Sequence, residues 1–154
     1  MGLNLGEKTC LGYIVILRVW IGSYLLYQGI RKFLRDFPNS GWIDRQIGKL
    51  GEVELFSWYK DFLTNVVSSN QELFGYLVMY GEILVGTCLI IGLLTRFSAG
   101  VGIFMFINYI LGPGWARGAA TLGQTETFLV AMIVLFLTNP GRTLGVDGFL
   151  LKRK

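Results

Sequence analysis

The stretch from Leu73 to Leu94 reads LFGYLVMYGEILVGTCLIIGLL, and its one charged residue is Glu82. An α-helix needs about 20 predominantly apolar residues to cross the hydrocarbon core of a bilayer. A second stretch of similar length, Leu11–Ile30, is apolar apart from Arg18 and Gln28. Because runs of about 18 or more apolar residues are rare in soluble folds, we expect both stretches to span a membrane.

Two weaker apolar stretches follow in the C-terminal half. Phe97–Leu111 can continue to Trp115, and Ala119–Thr138 contains Gln124 and Glu126. The alternative is a soluble all-α protein with apolar core helices. A soluble domain has about 25% charged residues, whereas this chain has 16%, too few to cover a water-facing surface. The sequence therefore predicts an all-α integral membrane four-helix bundle, a single membrane domain over 1–154 with spans at about 11–34, 72–95, 97–114 and 119–138.

The composition excludes several kinds of redox and hydrolytic site. The chain has 154 residues, no histidine and 2 cysteines, Cys10 and Cys88. Catalysis by a serine–histidine pair, histidine-ligated zinc and histidine-ligated haem are therefore excluded, and an iron–sulfur cluster needs about four thiolates. We expect no metal site, and no haem, iron–sulfur cluster or zinc held by this chain alone.

The connection between the first two spans is too long for a turn between bundle helices, which takes about 2–8 residues. After the helix-breaking run Pro38–Gly41, apolar residues recur at helical spacing from Leu55 to Val67. This pattern predicts an amphipathic interfacial helix within the segment at about 41–69. One interpretation is a helix that lies on the membrane or caps the bundle, and the other is a lid over a site that opens to this face.

Four spans place both termini on the same side of the membrane. Basic residues number six on the terminus side and seven on the other, so their count does not decide the orientation. The compact basic tail Lys152–Lys154 favours termini in the cytoplasm. Because the basic residues cluster at helix ends, where lipid headgroups account for them, membrane lipids are the expected partners and nucleic acid is not.

Glu82 is the polar residue on which the predicted site centres. A charged side chain near the bilayer centre costs about 2.5–3.5 kcal/mol on insertion scales, so Glu82 must be protonated, paired or hydrated. Counting residues inward places Asn108 and Glu126 at a similar depth, and Tyr24 and Gln28 can approach that layer. This group is typical of a proton-handling or quinone-head site, or of a hydrogen-bond network that fixes helix register.

The cations near this layer have two interpretations each. Arg18 is a candidate partner for Glu82 across an axial offset of about 9 Å, or it extends to the interface. Four other cations end the first helix or lie in the glycine-rich loop after the third, where they form an anion-attracting mouth or anchor the helices in the membrane: Arg31, Lys32, Arg35 and Arg117.

Several motifs resemble one known family. Leu17-Arg18, Gly22, Gly29 and Lys32-Phe33 are followed by Gly81-Glu82 and by LIIGLLTR at 89–96. The segment NPGRTLGVD at 139–147 is similar to the family's ending after its fourth helix. From about Leu11 to Leu150 the chain resembles the DoxX/DoxD family of small four-helix membrane proteins, and its Tyr59–Phe62 and Asn70–Phe74 regions resemble the DoxD type. The family-motif residues are Gly86, Gly92, Arg96, Arg142 and Asp147.

The resemblance implies a subunit of thiosulfate:quinone oxidoreductase, which oxidises thiosulfate to tetrathionate and passes electrons to a non-covalently bound quinone. It implies a DoxA-like partner subunit and the cytoplasmic membrane of a prokaryote. The alternative is a non-catalytic accessory subunit of a larger respiratory or photosynthetic membrane complex that holds lipid, quinone or pigment. A transporter or channel ranks last, because the sequence shows no matching pair of broken half-helices.

As an oxidoreductase subunit, the chain would use carboxyl groups for proton transfer and cations for the thiosulfate dianion. The expected catalytic residues are Glu82 and Glu126. The expected quinone or substrate contacts are Arg18, Tyr24, Gln28, Arg31, Lys32, Asn108 and Arg117.

Overall fold

The computed structural model describes residues 12–50, 57–114 and 119–151, which are almost entirely helical. Four helices are long and apolar enough to cross a membrane, so the chain is an all-α membrane bundle. In chain order the helices are α1 (Tyr13–Leu34), α2 (Trp42–Leu50), α3 (Ser57–Phe62), α4 (Gln71–Ile91), α5 (Thr95–Tyr109), α6 (Ala119–Thr138) and α7 (Val146–Leu151).

Glycines bring α1 and α4 into the closest contact of the bundle. A Cβ atom on Gly86 would lie 2.6 Å from the backbone nitrogen of Leu26, and one on Gly29 would lie 3.0 Å from the nitrogen of Ile83. A Cβ atom on Gly22 would lie 2.9 Å from the carbonyl oxygen of Gly86. In lipid, such small residues allow backbones to approach and gain dispersion energy. Gly22 and Gly29 on α1 and Gly86 on α4 recur at helical spacing, and the faces that carry them form the antiparallel α1–α4 contact.

The buried core lies where the four long helices meet. It includes Ile21, Leu25, Leu89, Ala99, Met132 and Leu135, all of which are at most 2% exposed. Large apolar side chains on the outside of the same helices, such as Ile16, Leu84 and Val130, are more than half exposed. A soluble bundle would bury these outer residues, whereas in a membrane the acyl chains solvate them.

The predicted interfacial segment at 41–69 contains more than one helix. After the turn Phe37–Asn39, α2 forms, and from Ser57 the chain is helical through a π-helical stretch, Leu63–Val67, and a 3-10 turn, Ser68–Asn70, into α4. The chain folds back on itself near Asn70, where φ is −127° and ψ is 35°. As a result the rings of Phe62 and Phe74 lie 6.2 Å apart, whereas 12 residues of straight helix would separate them by about 18 Å. Residues 51–56 lie outside the described residues.

The opposite end of the bundle is closed by the turn between α4 and α5 and by the segment after α6. Gly92 ends α4 with a left-handed φ of 70°. The Asp147 carboxylate accepts hydrogen bonds from the backbone N–H groups of Leu94 (2.7 Å) and Thr95 (2.8 Å). The N–H of Asp147 donates to the Gly92 carbonyl at 2.9 Å. Asp147 thereby stabilises the N-terminus of α5 and holds α7 against the turn.

Candidate functional site

A cavity of about 770 Å³ lies at the end of the bundle where α1 ends. Side chains of α2 and α3 line it, together with side chains of the four long helices. This placement of α2 and α3 favours the lid interpretation of the connecting segment. The cavity brings together six of the residues that the sequence predicts for the site: Tyr24, Gln28, Arg31, Lys32, Glu82 and Asn108.

Glu82 is the buried carboxyl group of this cavity, with 2% of its surface exposed. Its Oε1 atom accepts hydrogen bonds from the Lys32 ammonium and from the Tyr109 hydroxyl, the latter at 2.8 Å. Its Oε2 atom is buried without a hydrogen-bond partner among the described residues. Because an unsatisfied buried oxygen costs about 1–3 kcal/mol, Oε2 is a position where a bound donor group would stabilise the protein.

Lys32 reaches Glu82 from the end of α1. Its Nζ atom lies 5.3 Å from the centre of the Phe37 ring and 5.6 Å from that of the Tyr109 ring. Two aromatic faces and a carboxylate therefore hold the ammonium group in place, through cation–π contacts and an ion pair. Lys32, rather than Arg18, is the partner of Glu82.

A second polar group forms around the Tyr24 hydroxyl, which accepts hydrogen bonds from Gln28 Nε2 at 2.9 Å and Gln124 Nε2 at 3.3 Å. The Tyr24 ring stacks on Phe128 with centroids 4.4 Å apart. Gln28 lies one turn after Tyr24 on the same face of α1, which is the spacing at which helical side chains meet. The predicted proximity of Tyr24 and Gln28 to the Glu82 layer agrees with this arrangement.

The lid side of the cavity is polar as well. The Tyr59 hydroxyl lies 3.4 Å from both the backbone and the side-chain oxygen of Asn108, and Asn108 Nδ2 donates to the Phe104 carbonyl at 2.8 Å. Gln46 on α2 is buried, and its Oε1 atom has no hydrogen-bond partner in the described part of the chain. Arg31, Lys32, Arg35 and Arg45 make the lining electropositive.

Arg18 corrects one sequence-based expectation, since it does not contact Glu82 and does not line the cavity. It is 3% exposed and donates to the carbonyls of Pro140 (3.2 Å) and Leu144 (2.6 Å) at the terminus end of the bundle. A Cβ atom on Gly92 would lie 2.6 Å from its Nη1 atom. The antiparallel α1–α4 register sets Arg18 level with the end of α4, where the turn after α6 supplies carbonyl acceptors.

Glu126 also differs from its expected position, because it is exposed and is not among the residues that line the cavity. Its depth along α6 is similar to that of Thr125 and Phe128, which do line it. Successive residues of an α-helix are rotated by about 100°, so counting depth alone does not determine which residue faces inward. Arg117, the other expected contact on this side, lies outside the described residues.

The family-motif residues lie mostly at the terminus end, away from the cavity. The Arg96 guanidinium lies 4.9 Å from the centre of the Phe136 ring, and Arg96, Arg142 and Asp147 line a separate depression of about 530 Å³. Gly86 lies in the α1–α4 contact. These residues therefore stabilise helix contacts and turns rather than forming the cavity.

Several polar residues of the cavity are absent from the sequence-based site, among them Tyr109, Tyr59, Gln46 and Gln124. The signal for Tyr109 was its place beside Asn108 at the same end of the third span. Tyr59 and Gln46 follow from the fold of α2 and α3 over the bundle, for which the sequence has no local signal. Within residues 12–50, 57–114 and 119–151, no three histidine, cysteine, aspartate or glutamate side chains gather as metal ligands would.

Comparison with known families gives a match over almost the whole chain. The profile of the family described as "TQO small subunit DoxD" matches residues 13–154. The comparisons with curated proteins and with solved structures give no match. The matched range includes all four long helices, the helices α2 and α3 (the lid helices) and the turn after α6.

Proposed function

The chain belongs to the DoxD family, and from this premise we propose that it is the small membrane subunit of a thiosulfate:quinone oxidoreductase whose cavity binds the quinone head group. In that reaction two thiosulfate ions join through a new S–S bond to form tetrathionate, and quinone takes up the two electrons and two protons. The word "small" in the family description implies at least one further subunit. A DoxA-like chain is the partner that we propose.

The observation that supports this function is the buried Glu82 carboxyl group at the cavity wall with one unpartnered oxygen. A quinone that is being reduced needs protons at its ring oxygens, in a place that lipid-soluble molecules can reach. A carboxyl group is a suitable general acid when it is positioned within hydrogen-bond reach. The residues therefore fit a quinone head group, which supplies the two-electron acceptor when it is bound.

The other residues of the group position this carboxyl. Lys32 and Tyr109 both bind Oε1, so the carboxylate plane is fixed and Oε2 is left to hold or release a proton. The positive charge of Lys32 also stabilises the negative charge that develops on a bound quinone as it is reduced. We propose that Glu82 takes up a proton from water at Oε2 and passes it to the quinone, while Lys32 and Tyr109 orient the carboxyl group.

The cations of the cavity suggest how the anionic substrate approaches. Arg31 and Arg35 lie with Lys32 at the end of α1, and a cluster of like charges attracts a dianion such as thiosulfate. We place the chain in the cytoplasmic membrane of a prokaryote with its termini in the cytoplasm, so that the cavity lies towards the opposite side.

The test is thiosulfate-dependent quinone reduction by the complex that co-purifies with the chain. Glu82→Gln keeps the size of the side chain but removes its acidic proton. We expect turnover to fall by about 100-fold or more, because general acid–base groups contribute at least that much. The matched control is Glu72→Gln, the same change at an exposed position of α4 outside the cavity. Unchanged turnover in a folded Glu82→Gln protein would exclude the proposed proton transfer.

Glu126→Gln completes the series because it removes the other carboxyl group expected from the sequence. Glu126 is exposed and lies outside the cavity. We therefore expect turnover of the Glu126→Gln variant to stay within about two-fold of the wild type, whereas loss of a general acid lowers turnover by about 100-fold or more. A loss of turnover as large as that in Glu82→Gln would show that Glu126 also takes part in proton transfer.

The second candidate function is an accessory subunit without catalysis of its own. It is favoured by one observation: the family-motif residues at the terminus end stabilise turns and do not line the cavity. Residues that stabilise helix contacts and turns can be shared by proteins that have one fold and different functions. Stoichiometric purification with a large cofactor-bearing complex, without quinone reduction by the chain and its DoxA-like partner, would support this function.

A further inference from the structure

The cavity has two polar groups at different depths of the membrane. One is the Glu82 group with Lys32 and Tyr109, and the other is the Tyr24 hydroxyl with its two glutamines. Gly29 contacts the backbone near Ile83, and Gly22 contacts the backbone near Gly86, so Glu82 is level with about Gln28 of α1. Tyr24 therefore lies about four residues, or about 6 Å, deeper along the bundle axis than Glu82.

The Tyr24 hydroxyl is arranged as a hydrogen-bond donor to the cavity. It accepts hydrogen bonds from Gln28 and Gln124. A tyrosine hydroxyl has one proton to donate as well, and among the described residues no acceptor is found for the proton of Tyr24. Because both glutamines present N–H groups to the oxygen, the remaining O–H group is available to an oxygen atom of a ligand.

Stacked aromatic rings line the cavity beside the Tyr24 group. The rings of Tyr24, Phe128 and Phe106 are nearly parallel, with interplanar angles of 21° and 12° between neighbours. All three side chains line the cavity. A further planar ring packs well against such a group of aromatic rings, by stacking or by edge-to-face contact.

From these three features we propose that the cavity selects a planar ring with two oxygens at opposite ends, as in a para-quinone. The Tyr24 O–H group donates to one ring oxygen, and the other ring oxygen faces the Glu82 group. Tyr24 is thus a ligand-contacting residue, and Gln28 and Gln124 are positioning residues that direct its proton. The choice of a quinone rests on the proposed function, whereas the two-ended recognition rests on the cavity.

The test is equilibrium binding to the full chain in lipid nanodiscs, by titration calorimetry without thiosulfate. The first ligand is decylubiquinone, and the second is a phenol with the same decyl chain, whose ring has one oxygen. We expect Tyr24→Phe and Glu82→Met, which both leave no donor at the mutated position, each to weaken decylubiquinone binding by about 3–10-fold, the loss of one hydrogen bond. The phenol has one oxygen, so it can form a hydrogen bond with the Tyr24 hydroxyl or with the Glu82 group but not with both. Only one of these two variants should therefore weaken binding of the phenol.

The matched control is Tyr80→Phe, which removes the same hydroxyl from the exposed face of α4 outside the cavity. It leaves both dissociation constants unchanged, within about two-fold, since no ligand hydrogen bond is lost. Gln124→Leu removes one donor to the Tyr24 oxygen at an exposed position, and we expect it to weaken decylubiquinone binding less than Tyr24→Phe does.

A dissociation constant for decylubiquinone in Tyr24→Phe equal to that in Tyr80→Phe would overturn the inference. So would equal effects of Tyr24→Phe and Glu82→Met on the phenol. Turnover decides the proposed function separately. Loss of turnover in Glu82→Gln with no effect of Tyr24→Phe on binding refutes only the two-ended recognition. Two-ended binding without any thiosulfate-dependent turnover refutes only the oxidoreductase function.

Discussion

The ion pair between Lys32 and Glu82 should stabilise the bundle, and a double-mutant cycle measures by how much. Lys32→Met removes the ammonium group and leaves Glu82 with one partner, Tyr109. Removing one partner of a fully buried pair costs about 3–5 kcal/mol. The Lys32 side chain is 24% exposed, so water already screens part of the attraction. We therefore expect Lys32→Met to lower the free energy of unfolding by about 2 kcal/mol.

The second variant of the cycle, Glu82→Gln, removes the carboxylate charge that Lys32→Met leaves without its ion-pair partner. Glu82→Gln should cost about 1 kcal/mol, since the amide still accepts a hydrogen bond and Lys32 is partly hydrated. The double variant Lys32→Met/Glu82→Gln then contains no buried charge in this pair, and it should be no less stable than Lys32→Met. These values give a coupling energy of at least about 1 kcal/mol.

The assay is reversible unfolding of the full chain in mixed micelles of detergent and sodium dodecyl sulfate, followed by circular dichroism. Lys49→Met, which removes an exposed lysine of α2, is the matched control and should change the free energy of unfolding by less than about 0.5 kcal/mol. A coupling energy below about 0.5 kcal/mol would refute the reasoning, because Lys32 and Glu82 would then act independently.

Two further variants test the contacts that hold the bundle together. Gly86→Ala places a Cβ atom 2.6 Å from the Leu26 nitrogen and should destabilise the protein by about 1–3 kcal/mol in the same assay. Gly81→Ala on the same helix, where the nearest atom is 3.6 Å away, should be neutral or stabilising, and equal effects of the two would contradict the close α1–α4 contact. Asp147→Ala removes the acceptor of the Leu94 and Thr95 N–H groups and should cost about 1–2 kcal/mol. The exposed Asp61→Ala is its control, and a cost no larger than that of this control would mean that Asp147 does not stabilise α5.

Much of the membrane fold is determined by the sequence, because the cost of placing polar groups in lipid acts on composition alone. The apolar stretch Leu73–Leu94 predicts a span, and α4, Gln71–Ile91, includes most of that stretch. The glycines at helical spacing identify the faces of α1 and α4 that meet, since only small residues allow that approach. Glu82 is conspicuous for the same reason: it is the one charged residue in a long apolar stretch.

The choice of partners was decided by tertiary structure. Arg18 and Lys32 lie on the same face of α1, and either could be assigned to Glu82 from the sequence. The antiparallel register sets Arg18 beside Gly92 and the carbonyls of Pro140 and Leu144, and leaves Lys32 for Glu82. Register depends on which glycines of two helices interlock, and residues far apart in the chain determine that.

The sequence by itself therefore determined the four membrane helices, the α1–α4 contact faces and the importance of Glu82, because hydropathy and helical period are local properties. Only the tertiary structure decided that Lys32 and Tyr109 bind Glu82, that Glu126 faces outward, and that Tyr59 and Gln46 of the lid helices complete the cavity. Those outcomes depend on the rotation of each helix about its axis and on the fold of the lid over the bundle, and both follow from contacts between distant residues.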